Sequence, residues 1–177
     1  MTALALIGFL SVGVPARLKD TSTLSSWLIV AMATAIVVVT LGAFAHQTNK
    51  GRRTFLLGVA AGTLHGFTVS LSKVVAQNFV AHGLLWVAAD PHTWILAIMG
   101  VADVLVIQSA FQAGPLRVSL PIISVIEPVV AIAIGLGVLH ETLSATTSGA
   151  VVAALSLSLM LLGVWGLARV ATEESLV

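Results

Sequence analysis

A chain of 177 residues that is 58% hydrophobic, only 8% charged and of mean hydropathy +1.10 is not an ordinary soluble domain, whose charged share is nearer ~25%. Its lack of cysteine excludes disulfides, thiol catalysis and thiolate metal sites. A net charge of +1 without a basic stripe argues against nucleic acid as a partner. Inside a bilayer the backbone must satisfy its own hydrogen bonds, which leaves helices or a closed barrel, and long apolar runs without strict alternation select helices. The expectation is therefore an all-α, polytopic integral membrane bundle, folded as a single transmembrane domain.

Windows of about 20 apolar residues place six spans, at 2–14, 27–45, 55–76, 94–113, 118–139 and 149–168. The first is short and starts at Met1, and no basic region precedes it as a cleaved signal would require. After the second span comes QTNKGRR, with Lys50, Arg52 and Arg53. Arg117 before the fifth span and Arg169 after the sixth fall on the same side, whereas the opposite side has only Arg17 and Lys19. The excess of Lys and Arg on one side predicts a cell-membrane protein with both termini in the cytoplasm.

The third span carries Gly58, Gly62 and Gly66, overlapping GxxxG patterns that allow close helix approach. His65 lies near its middle and Lys73 near its outer end, where snorkelling to the interface is a sufficient account of a lysine. Gly62, Gly66, Ser70, Lys73 and Gln77 also recur at helical spacing, a small and polar stripe suited to a cavity wall. The stretch from Gln77 to Asp90 reads as a loop with a short interfacial helix. Asp90-Pro91 then offers an N-cap followed by proline at the first helical position. Trp27, Trp94 and Trp165 are expected at the headgroup level. On the fourth span, Gln108 and Gln112 sit one turn apart, suited to lining a passage or bonding across helices.

The fifth span is the least like a plain anchor. It contains Pro121, Glu127 and Pro128, and Glu141 follows at its exit. Pro128 removes the donor that would serve the carbonyl of Ser124, so a helix break beside an intramembrane acid is expected, a transporter-like arrangement. His65, Asp103 and Glu127 each lie about 10 residues into their spans, ~15 Å deep. Three helices thus bring an ionisable group to one level, a candidate proton relay or cation cluster. The plainer account is that His65 bonds a neighbouring backbone and Asp103 fixes a helix contact. No nucleophile elbow, phosphate loop or HExxH is present, so neither an enzyme nor a bound cofactor or metal is expected.

The segment SLPIISVIEPVVAIAIGLGVLHETLS, Ser119 to Ser144, resembles the C-terminal signature of EamA-type permeases of the drug/metabolite transporter superfamily. Its Pro-Val in mid-helix, apolar Gly-containing run and Leu-x-Glu carry the likeness, and Gly163-Val164 resembles the closing Gly-Val. LLGVAAGTLHGFTVSLSK and QSAFQAGPLRVSLP look like the matching helices of actinobacterial permeases. Two departures are His140, where the family usually has glycine, and Glu127, which is not a general family feature. The resemblance implies alternating-access transport of a small solute such as a metabolite, amino acid or drug, often proton-coupled, with chiefly architectural roles for Pro128 and Glu141. Family members are inverted repeats of nine or ten spans, so this chain resembles the back part of one. Completion by homo-oligomerisation, or a truncated, non-transporting subunit, are the corresponding expectations. Distant NIPA-type relatives imply magnesium as an alternative cargo, although two acids make a weak magnesium site.

Overall fold

A computed structural model describes residues 23–138. They form α1 (Leu24–His46), α2 (Lys50–His82), α3 (Leu84–Ala89), α4 (Pro91–Ala113) and α5 (Leu116–Gly137), with no strand among the described residues. The four longer helices are long and apolar enough to cross a membrane and correspond to the second to fifth predicted spans. The spans at 2–14 and 149–168 lie outside the described residues, as do Glu141, His140 and Trp165.

The bundle is built around α2, against which every other helix packs. Of its most apolar stretch 67% is buried, compared with 17%, 11% and 22% for α1, α4 and α5. It is also the least apolar of the four, which follows from its place: neighbouring helices cover Gly58, Gly62, Gly66, Thr54, Thr68 and Ser70. One core joins Trp27 and Ala31 to Phe67, Leu71, Ile134 and Val138. A second joins Ala45, Leu57, Ala61, Ala110, Ala113 and Ile123. Trp27, in the first turn of α1, is fully buried and meets Phe67 edge-on at 6.0 Å, a geometry that aromatic rings favour. Trp94, by contrast, is exposed and donates to the carbonyl of Ala88 at 3.1 Å.

Three of the α2 glycines, Gly58, Gly62 and Gly66, face α5. A Cβ on Gly58 would lie 3.1 Å from Ile122, one on Gly62 would lie 2.7 Å from Ile126, and one on Gly66 would lie 2.7 Å from the carbonyl oxygen of Glu127. The partner number rises with the glycine number, so α2 and α5 run in the same direction. Their basic starts, Lys50, Arg52 and Arg53 on one and Arg117 on the other, therefore lie at one end of the bundle. Gly114, just before α5, closes this end by packing on Thr54.

α5 continues through Pro121 and Pro128 from Leu116 to Gly137, so the expected break at these prolines is not found. Each proline costs one intrahelical bond, but stopping the helix in an apolar setting would leave several more backbone groups unpaired. α2 also runs six residues beyond its expected end at 76. Nothing in Gln77–His82 opposes a helix, and it stops only at Gly83, whose φ of +82° suits glycine. At ~50 Å, α2 exceeds a hydrocarbon core of ~30 Å, so it tilts or projects from the membrane.

The α4 start is capped as its Asp-Pro pair predicts. Asp90 accepts from the backbone N–H of His92 at 3.1 Å and pairs with its Nδ1 at 2.7 Å. Its other oxygen accepts from the Asn78 amide at 2.9 Å, tying the end of α2 to α4. Burial pushes the Asp90 carboxyl up, but the hydrogen bonds from His92 and Asn78 outweigh it and hold the group below its usual 3.8. A depressed carboxylate contributes stability above its unfolded pKa and loses it as pH falls through the lower folded one. Asp90→Ala is thus expected to cost about 1 kcal/mol near neutral pH. In thermal melts in detergent, the gap between wild type and variant should narrow below about pH 4.

Candidate functional site

The site lies at the seam where α4 and α5 meet α2, and it begins with a carboxylate that burial makes expensive. Asp103 on α4 is 6% exposed, and an ionised carboxylate at such a place needs partners. Its Oδ2 has two: His65 Nδ1 at 2.7 Å and the Thr68 hydroxyl, which donates at 3.1 Å. Its Oδ1 is buried with no hydrogen-bond partner among the described residues. One proton lies between Asp103 Oδ2 and His65 Nδ1 whichever atom holds it, since two bare acceptors would repel at this distance. The other ring nitrogen, Nε2, faces Glu127 Oε2 on α5 at 3.9 Å, too far for a hydrogen bond.

His65 and Glu127 each keep 35% side-chain exposure, against 8% for Asp103. The row therefore runs from a half-open carboxylate through an imidazole to a closed one. Local structure explains why the groups converge. Gly62 and Gly66 let α5 approach so closely that Glu127 reaches the ring. On the other side of the ring, the Asp103 bond holds the imidazole toward α4. Imidazole is suited to this position, since one nitrogen can take up a proton as the other releases one.

The structure thus brings together His65, Asp103 and Glu127. Lys73 and Gln108 stand apart: both side chains are exposed, and the Lys73 ammonium forms no ion pair among the described residues. Pro121 and Pro128 are helical residues of α5, with Pro128 directly after Glu127. Gly58, Gly62 and Gly66 form the packing seam. Among the described residues no group of three or more His, Asp or Glu side chains is disposed to hold a metal ion. A shallow apolar groove of ≈390 Å³ between α1 and α5 has Thr63 on its wall and does not include the three ionisable groups. Sequence reasoning missed Thr68. Its only signal was its place one helical turn after His65, a spacing shared by many uninvolved residues.

No protein-family model and no solved structure matches the chain. It is 26% identical over 149 residues to an uncharacterized protein of Corynebacterium glutamicum, a match covering 84% of this chain and 52% of the relative. The chain thus spans about half the length of the curated relative it matches.

Proposed function

We propose that this chain moves a small solute, such as a metabolite, an amino acid or a drug-like compound, across the cell membrane by alternating access, with protons as the coupling ion. The observation that carries the reading is His65, set between Asp103 and Glu127 so that three helices share one row of protonatable groups. Such groups are costly in a membrane-spanning bundle and are usually kept there for a pathway. The exposed end of the row, Glu127, is the entry point, and the closed end, Asp103, is the store. The gathering of Lys50, Arg52, Arg53 and Arg117 at one end of the bundle supports a cytoplasmic location for that end. The likeness of Ser119 to Ser144 to EamA-type permeases agrees with a carrier rather than an enzyme.

The test uses the full chain in liposomes, with an imposed pH gradient and labelled amino acids, metabolites and drug-like compounds outside. Glu127→Gln is expected to lower gradient-driven flux by about a hundredfold, the scale on which a positioned proton-transfer group acts. Flux at the wild-type rate would remove Glu127 from the pathway.

A further inference from the structure

Thr68 offers one hydroxyl proton to two acceptors. Its Oγ lies 2.9 Å from the backbone carbonyl of His65, one turn earlier on α2, and 3.1 Å from Asp103 Oδ2. Both distances suit a hydrogen bond, but a single O–H serves only one acceptor well at a time. The first bond is one that any threonine in a helix can make. The second goes to a buried carboxylate, where a donor to the charged form is worth more than an ordinary hydrogen bond. Which one Thr68 makes therefore depends on whether Asp103 is charged.

The proton movement of the proposed carrier links the two choices. A protonated Glu127, turning to close the 3.9 Å gap, gives its proton to His65 Nε2. The Nδ1–H bond breaks, and that proton passes to Asp103 Oδ2 over 2.7 Å. Glu127 is left ionised, Asp103 neutral and His65 in its other neutral tautomer, so one protonic charge has moved along the row from Glu127 to Asp103 and total charge is conserved. Before transfer, Asp103 Oδ2 holds two donors, His65 and Thr68. Afterwards it bears its own proton, and the Thr68 hydroxyl is better used by the His65 carbonyl.

We propose that Thr68 is the positioning residue that sets where the proton of the His65–Asp103 pair resides. Its hydroxyl turns from Asp103 Oδ2 to the His65 carbonyl as the carboxylate is neutralised. The other titratable groups facing the pair are few. α5 presents Glu127, α1 carries only His46 at its far end, and α3 carries none. His92 on α4 is engaged with Asp90, and Arg117 stands in the first turn of α5. Thr68 is the one non-titratable side chain, among the described residues, that donates to Asp103. The inference rests on the proton-relay reading of the site, and its test is chosen to separate the two.

The full chain with ¹⁵N-labelled histidine is titrated in lipid bilayers, with His65 assigned by the loss of its signal in His65→Gln. Wild type is expected to exchange one neutral tautomer for the other within the accessible pH range. Thr68→Val, similar in shape but lacking the hydroxyl, should move that change to higher pH by about one unit, because ionised Asp103 has lost a donor. Thr68→Ser should restore the wild-type position. In an Asp103→Asn background, Thr68→Val should have no further effect. Thr68→Ala serves as the second donor-free variant should valine not fold. A Thr68→Val or Thr68→Ala titration that overlays the wild type would overturn the role of Thr68. A wild-type His65 that keeps one tautomer throughout would overturn both the role and the relay. A shifted titration in a chain that moves none of the tested solutes would uphold Thr68 and count against transport.

Discussion

Gly66→Ala should lower the stability of the bundle by about 1–3 kcal/mol, the usual cost of adding volume to a well-packed contact. The added Cβ would lie 2.7 Å from the backbone oxygen of Glu127 and 2.9 Å from Val130 Cβ. Neither is the flexible end of a side chain, so relief requires α5 to move away from α2. That movement also takes Glu127 from His65, so on the proposed carrier reading proton-coupled flux should fall with stability. Gly51→Ala is the control. It lies in the exposed first turn of α2 with no described atom within 4 Å of an added Cβ, and alanine favours a helix over glycine by up to ~1 kcal/mol. Thermal unfolding in detergent, followed by helical circular dichroism, reads both. Equal midpoints for Gly66→Ala and Gly51→Ala would mean that the seam yields at little cost.

Removing the Asp103 carboxylate should have an effect of similar size for a different reason. Asp103→Ala leaves His65 Nδ1 without its acceptor at 2.7 Å and Thr68 with only its own helix to bond. A buried polar group stripped of its partner costs about 1–3 kcal/mol. Asp103→Asn retains an oxygen that can accept from His65 and should recover most of that stability. It cannot store a proton, so on the proposed carrier reading gradient-driven flux should be lost in both variants. The separation of stability from flux in Asp103→Asn is the informative result. An asparagine variant that is stable and transports at the wild-type rate would make Asp103 a structural tether of α4 to α2.

Much of the helix plan was legible because hydropathy measures a property of each segment by itself. The four described spans, the Asp90-Pro91 start of α4 and the absence of strands all follow from local runs, caps and backbone needs. Depth was legible too, since counting residues along a helix gives height in the membrane, and His65, Asp103 and Glu127 could be set at one level. Facing was not. A level shared by three residues does not say that their side chains meet, and the contact of His65 with both acids depends on how α4 and α5 lie on α2.

Where expectation and structure diverged, a helix had continued, because that keeps its backbone groups paired. Pro121 and Pro128 disfavour a helix, yet α5 runs through both. Gln77 and Asn78 read as loop residues, yet the helix continues and Asn78 holds the cap of α4.

The sequence by itself determined that the chain is a set of apolar helices, where each of four begins and ends to within about a turn or two, and at what height its ionisable groups stand. Those follow from free energies of transfer and backbone hydrogen bonding, which act on each segment alone. Only the tertiary structure decided that α2 is the centre, that Gly58, Gly62 and Gly66 face α5, and that Thr68, His65, Asp103 and Glu127 form one row. Those follow from close packing between helices, which depends on shape and facing; the GxxxG spacing marks a close approach but not the helix that makes it.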